Sequence, residues 1–188
     1  MNAPSKGQFK TLREVLDFVV KHTGSPTDSQ KIRLLCLDSL MTSVAIGNPV
    51  PEWAKPCWEE LHQADHAVLA MSLVGAERRM AGPIMKVVVD TLTDKYEKAS
   101  ETPSKMHLFS MSDLNLYSVV KLLNPQYDRK PTFCATLLVE IFTEGGYPMA
   151  ELFYSEDLDP KPLRLGKLSN PCVLADLLSE LRRLLKTD

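Results

Sequence analysis

The chain is short of the features that announce a chemistry. Its four cysteines, Cys36, Cys57, Cys134 and Cys172, are widely spaced, and no Cys-x-x-Cys occurs. That argues against a zinc ribbon or a thioredoxin-type motif; the simplest reading is free, buried thiols. Glycine is scarce, with 8 in 188 residues. No GxGxxG, Walker A, GxSxG or HExxH pattern occurs, so the sequence offers no glycine-rich phosphate cradle, nucleophile elbow or zincin helix. Lysine and arginine are scattered and the net charge is −2. A nucleic-acid partner, which calls for a basic face, is therefore not expected. No apolar run approaches the roughly 20 residues that a bilayer span requires. Residues 1–7 lack an apolar h-region, so no secretory signal is expected at this end.

What remains is an ordinary globular composition, with 44% hydrophobic and 24% charged residues. That is enough for a single-domain core. Leu12, Val15, Leu16, Val19 and Val20 recur at helical spacing. Thr11 with Glu14 three residues later forms a capping box, and Gly24 and Pro26 end the helix. A second helix is predicted from Asp28 or Ser29 to about Ser43, with Ile32, Leu35, Cys36, Ser39 and Leu40 on one face. Gly47-Asn48-Pro49-Val50-Pro51 breaks the chain. Helix resumes near Trp53, with Trp58, Leu61, Ala64, Val68 and Met71 as core candidates, until Gly75. A long helix follows from Glu77 to about Lys98, with Met80, Ile84, Val87, Val88, Thr91 and Leu92 as its stripe and Gly82-Pro83 near its start.

After Ser100-Glu101-Thr102-Pro103 the character changes. Met106-His107-Leu108-Phe109-Ser110 reads as a short buried strand and the stretch from Leu114 to Leu123 as a helix stopped by Asn124-Pro125. Residues 132–143 are rich in β-formers, and Gly145-Gly146 turns them into a second strand from Tyr147 to Tyr154. The stretch from Leu174 to Leu185 is a final amphipathic helix. The expected class is α/β with an α+β-like character. A helical region spans 1–102, and a small sheet with flanking helices spans 103–188. Three or four strands make a small sheet with exposed edges, which a partner or a further stretch of chain would complete.

Chemistry-bearing candidates are few. Ser112 and Asp113 stand where the predicted strand meets a helix, a position that suits a ligand or phosphate. Spacing alone favours a simple helix N-cap there. His22-Thr23-Gly24-Ser25-Pro26 reads as a helix C-cap. His62 and His66 lie one helical turn apart, as two metal ligands would, with no third ligand in view. His107 is expected to be a satisfied core histidine.

The order of these segments resembles the C-terminal portion of the histidine acid phosphatases, the branch-2 histidine phosphatases of prostatic and lysosomal type. Leu108-Phe109-Ser110-Met111-Ser112-Asp113-Leu114 is similar to the family's strand ending in His-Asp. Lys130-Pro131-Thr132-Phe133-Cys134-Ala135 is similar to its Pro-Tyr-Ala-Ser turn. Leu138-Val139-Glu140-Ile141-Phe142, Gly146-Tyr147 and Leu152-Phe153-Tyr154 match its hairpin, and Ser169-Asn170-Pro171-Cys172 with Leu174, Leu177 and Leu178 its closing segment. Upstream, Pro51-Glu52-Trp53 and Arg79-Met80-Ala81-Gly82 match elements of its helical cap. The resemblance runs from about Thr11 to Leu185.

It implies a truncated phosphoglycerate-mutase-like fold with a helical cap and a phosphomonoester substrate. No cofactor and no metal are implied. The implied setting is secreted or lysosomal, and the arrangement allows a homodimer. It also implies a cap-to-core disulfide near Cys36 and Cys134. Asp113 takes the family's proton-donor position. Ser112 stands where the family has a phosphate-binding histidine. The family's Arg-His-Gly-x-Arg-x-Pro motif, which supplies the nucleophile and the arginine clamp, is absent from this chain. The expectation is therefore a relative with little or no phosphatase activity, or a binding module built upon the same fold.

Overall fold

The computed structural model describes residues 7, 9–25, 29–97, 105–156, 159–163, 165 and 167–186. Pro26, Asp28, Lys98 and the break at 100–103 lie outside them. The chain forms two compact units, Met1–Ser72 and Leu73–Asp188.

In the first unit, α1 (Leu12–Thr23) begins as its sequence dictates. Thr11 is extended, and its hydroxyl accepts from Glu14 N at 3.2 Å. Glu14 reaches back to the Lys10 N–H at 2.8 Å. Gly24 closes the helix at φ 70, a left-handed conformation that a side chain would resist. Helix α2 (Gln30–Ala45) starts at Ser29 and buries Leu40 as predicted, but its buried face is turned away from Leu35 and Ser39. Leu37, Leu40 and Met41 are buried while Leu35 is half exposed. Four consecutive apolar residues, Leu34 to Leu37, leave the helical phase ambiguous, and packing against α1 resolves it. A 3-10 turn (Lys55–Cys57) leads into α3 (Trp58–Leu73). Leu61 and Ala64 join the core with Val15, Leu16 and Val19, whereas Met71, expected inside, is exposed.

The second unit begins with α4 (Glu77–Glu97), which carries Pro83 inside it. Its buried stripe is Ala81, Met85, Val89 and Leu92; of the predicted stripe Leu92 is buried, Ile84 and Val88 pack against the core half-buried, and Val87 is exposed. Helix α5 (Asp113–Leu123) ends at Asn124 as expected. Strands β1 (Thr136–Glu144) and β2 (Tyr147–Ser155) form a regular antiparallel hairpin. Its two-residue turn places both Gly145 and Gly146 at positive φ, the backbone such a hairpin requires. Short strands β3 (Lys161–Pro162) and β4 (Cys172–Val173) both pair with β2, completing a four-stranded sheet. Helix α6 (Leu174–Leu185) then buries Leu174, Leu177, Leu178 and Leu181.

The class is thus mixed: helices plus one small sheet whose pairings are all antiparallel. One core joins the stripes of α4, α5 and α6 to the inner face of the hairpin. Because α4 belongs to that core, the units divide at 72/73 rather than at the composition break near 102. Asn170 ties the last segment down, its side-chain amide bonding both the N–H and the carbonyl of Leu152 at 2.9 and 2.7 Å. It imitates a strand partner and sets Cys172 beside Ala150.

One predicted element is missing. Residues 106–110 are neither strand nor buried: they run irregularly, with Met106 75%, Leu108 83% and Phe109 41% exposed. His107 is exposed too, not a core histidine. A strand forms only beside a neighbour, and among the described residues none pairs with this segment. No two of the four cysteines lie at disulfide distance in this structure. No described helix is long and apolar enough to cross a membrane.

Candidate functional site

The corner at the start of α5 collects the residues singled out in the sequence. Ser112 is extended (φ −73, ψ 162) and its Oγ accepts from Asn115 N at 3.3 Å. Its carbonyl accepts from Leu116 N at 2.9 Å. Asp113 Oδ1 accepts from Leu114 N at 2.7 Å, and its Oδ2 lies 3.6 Å from Lys130 Nζ. The N–H groups of residues 114–116, which could otherwise grip an anion, therefore already have partners within the chain. Lys130, the cation at this corner, lies against a carboxylate. The arrangement is a capped helix with an ion pair across its first turn. The half-exposed Asp113 carboxylate is thus committed to the helix start and to Lys130.

Beside this corner, a polar cluster not foreseen in the sequence fixes the 124–135 loop to the end of β2. Tyr127 Oη donates to Glu156 Oε1 at 2.8 Å and lies 2.8 Å from Tyr154 Oη. Tyr154 also reaches Glu156 Oε1, at 3.3 Å. Lys121 Nζ donates to the Tyr127 carbonyl at 2.6 Å, and Thr132 Oγ1 to the Glu156 carbonyl at 2.8 Å. Arg129 lies 3.9 Å from Glu156 on the outer side. Each residue type is common in loops and their separations in sequence are irregular, so only the fold brings them together.

Burial pushes the Tyr127 phenol well above its ordinary value, and its bonds to Tyr154 and Glu156 push the same way. Burial, with the Glu156 charge adding to it, raises Tyr154 to about 12. Both favour the neutral phenol in the folded state. The Tyr154 contribution to stability is full below the ordinary value of 10.0 and is lost as pH rises through about 12; that of Tyr127 persists to higher pH. An alkaline titration followed by phenolate absorbance is expected to show Tyr127 and Tyr154 ionising only as the fold opens. Tyr127→Phe should remove the later part of that rise. Ionisation of all tyrosines near pH 10 with the fold intact would contradict the cluster.

His62 packs edge-on to Trp58, and its ring centre is 6.3 Å from that of His66. Among the described residues no group of three metal-capable side chains exists. No family model matches the chain, and no curated protein matches it either.

In the first unit, an open groove of about 440 Å³ runs past His22, Cys36, Ser39 and Trp53. The His22 ring stacks on Trp53 at 4.9 Å and 20°. Its Nδ1 lies 2.9 Å from the Phe18 carbonyl; a carbonyl only accepts, so that nitrogen carries the proton. The C-cap reading of His22-Thr23-Gly24 fits what is seen there. His22 acts as a packing residue at the end of α1.

Proposed function

We propose that this chain is a histidine acid phosphatase relative by descent that does not hydrolyse phosphomonoesters. The observation that carries the second half is the capped start of α5. Ser112 occupies the family's phosphate-binding histidine position and spends its oxygen on Asn115 N. Asp113, at the proton-donor position, pairs with Lys130. Phosphoryl transfer through a covalent intermediate needs a nucleophile, cationic stabilisation of the equatorial oxygens and an acid. This chain holds only the acid. Support for the descent lies in the order of elements: a helical region, the long α4 opening with Arg79 to Gly82, α5, a glycine-turned hairpin, and α6 after Ser169 to Cys172. On this reading the fold is the C-terminal part of a phosphoglycerate-mutase-like architecture. A secreted or lysosomal setting and a Cys36–Cys134 disulfide belong to the same reading.

The test is hydrolysis of p-nitrophenyl phosphate at acid pH by purified protein. No turnover is expected. Turnover abolished by Asp113→Ala would overturn the proposal. A second reading, a non-enzymatic binding module, is favoured by the satisfied N–H groups at α5. It is separated by thermal shift with phosphate and tartrate. A shift lost on Ser112→Ala would point to a retained anion site, and no shift would favour the binding module.

A further inference from the structure

The β1–β2 hairpin has two faces, and the second unit's core covers one of them. Leu137, Val139 and Ile141 of β1, with Ala150 and Leu152 of β2, look into that core. Side chains alternate along a strand, so the residues between them share the opposite face. There the antiparallel register pairs Leu138 with Phe153, Glu140 with Glu151 and Phe142 with Met149. None of these six belongs to either apolar core. Leu138 is 39% exposed, and Val173, paired with Met149, 37%.

The order along this face is apolar, acidic, apolar. Glu140 and Glu151 stand directly opposite one another, a like-charge pair that weakens a ladder. Among the described residues neither carboxylate has a hydrogen-bond or ion-pair partner. An apolar surface of this kind, divided by polar groups, marks a place where another molecule binds.

We propose that this face receives an amphipathic helix of a partner protein, laid along the strands, with a lysine or arginine of that helix between Glu140 and Glu151. The charges choose among occupants. A second copy of the sheet set face to face would bring four carboxylates together, and like charges opposed across an interface count against it. The same pair would be repelled by an anionic bilayer surface. A cation flanked by apolar side chains satisfies the whole face at once. The spacing chooses the helix. From Leu138 to Glu140, and from Glu140 to Phe142, the step is two residues of strand, about 6.8 Å. Along a helix, residues four apart are separated by about 6 Å and lie on one side. The pattern Leu-x-x-x-Lys-x-x-x-Leu therefore follows the order of the face. A packed helix is also one of the standard layers that cover a sheet. Such docking stands whether or not the chain descends from the phosphatases.

The probe is an alanine-based helical peptide of about 20 residues, with Leu-x-x-x-Lys-x-x-x-Leu on one side and glutamines opposite. It is titrated into the isotope-labelled full chain while backbone amide shifts are followed by NMR. Shifts are expected at residues 138–142 and 149–153, saturating below about 1 mM peptide. Glutamate in place of the peptide's lysine is expected to weaken binding about tenfold or more. Glu140→Lys combined with Glu151→Lys is expected to reverse that preference. The swapped pair keeps the same cross-strand repulsion, and circular dichroism verifies that the variant folds. Leu138→Asp, at an exposed position, should abolish the shifts. Wild type that shows no shifts up to about 1 mM overturns the proposal. So do shifts centred on the groove past His22 and Trp53, equal binding of the lysine and glutamate peptides, or a double variant that still prefers lysine.

Discussion

Residues 103–188 made alone are expected not to fold, whereas residues 73–188 are expected to fold cooperatively. Composition divides the chain near 102, but the second unit's core does not respect that division. Ala81, Met85, Val89 and Leu92 of α4 lie in one cluster with Val119 and Leu123 of α5, Ala150 and Leu152 of β2, and Leu177 and Leu181 of α6. Each large side chain that is fully buried stabilises by roughly 1.5–3 kcal/mol, so Met85, Val89 and Leu92 together account for roughly 5–9 kcal/mol. A whole domain is stable by about 5–15 kcal/mol. Loss of α4 also bares the faces of α5 and α6 that it covers, since both pack upon it. Urea unfolding followed by circular dichroism measures the outcome. A cooperative transition from the 103–188 fragment, with the same midpoint as from 73–188, would sink the argument.

That expectation marks where the sequence was legible and where it was not. Helices α1 and α6 could be read to within a residue or two, because each shows a single apolar stripe between local stop signals. Thr11 and Glu14 begin one, Gly24 ends it, and Leu174 to Leu185 alternates charged and apolar faces cleanly. The hairpin was equally legible, since Gly145-Gly146 is a turn by chemistry alone. In α2 and α4 the apolar residues are too many to specify a face. Met80, Ile84 and Val87 are as hydrophobic as Ala81, Met85 and Val89, and the neighbouring helices decide between them. Residues 106–110 fail for a different reason. Their apolar character is real, but a strand is a pairing, and the partner is not a local property. The cluster of Tyr127, Tyr154 and Glu156 was invisible for the same reason.

The second large expected effect concerns Ser112. In the histidine acid phosphatases that this chain resembles, the matching position is a histidine, so Ser112→His is the substitution that would restore the family pattern at α5. It is not expected to produce turnover. A histidine there supplies one phosphate contact and no nucleophile, and the arginine clamp stays absent from the chain. Loss of a nucleophile or of an electrostatic clamp each typically costs about a thousandfold or more, and such losses within one machinery are not made good singly. What the substitution should change is stability. Ser112 Oγ caps Asn115 N, and loss of an N-cap oxygen costs about 1 kcal/mol. Ser112→Ala and Ser112→His are therefore expected to lower the unfolding midpoint alike, with p-nitrophenyl phosphate hydrolysis at background in both. Measurable hydrolysis in Ser112→His, absent from Ser112→Ala and lost again on Asp113→Ala, would mean that the chain retains a working phosphoryl site for which only that histidine is missing. The capped helix and the Asp113–Lys130 pair argue for the other result: a corner whose polar groups have turned to holding α5 and its loop in place.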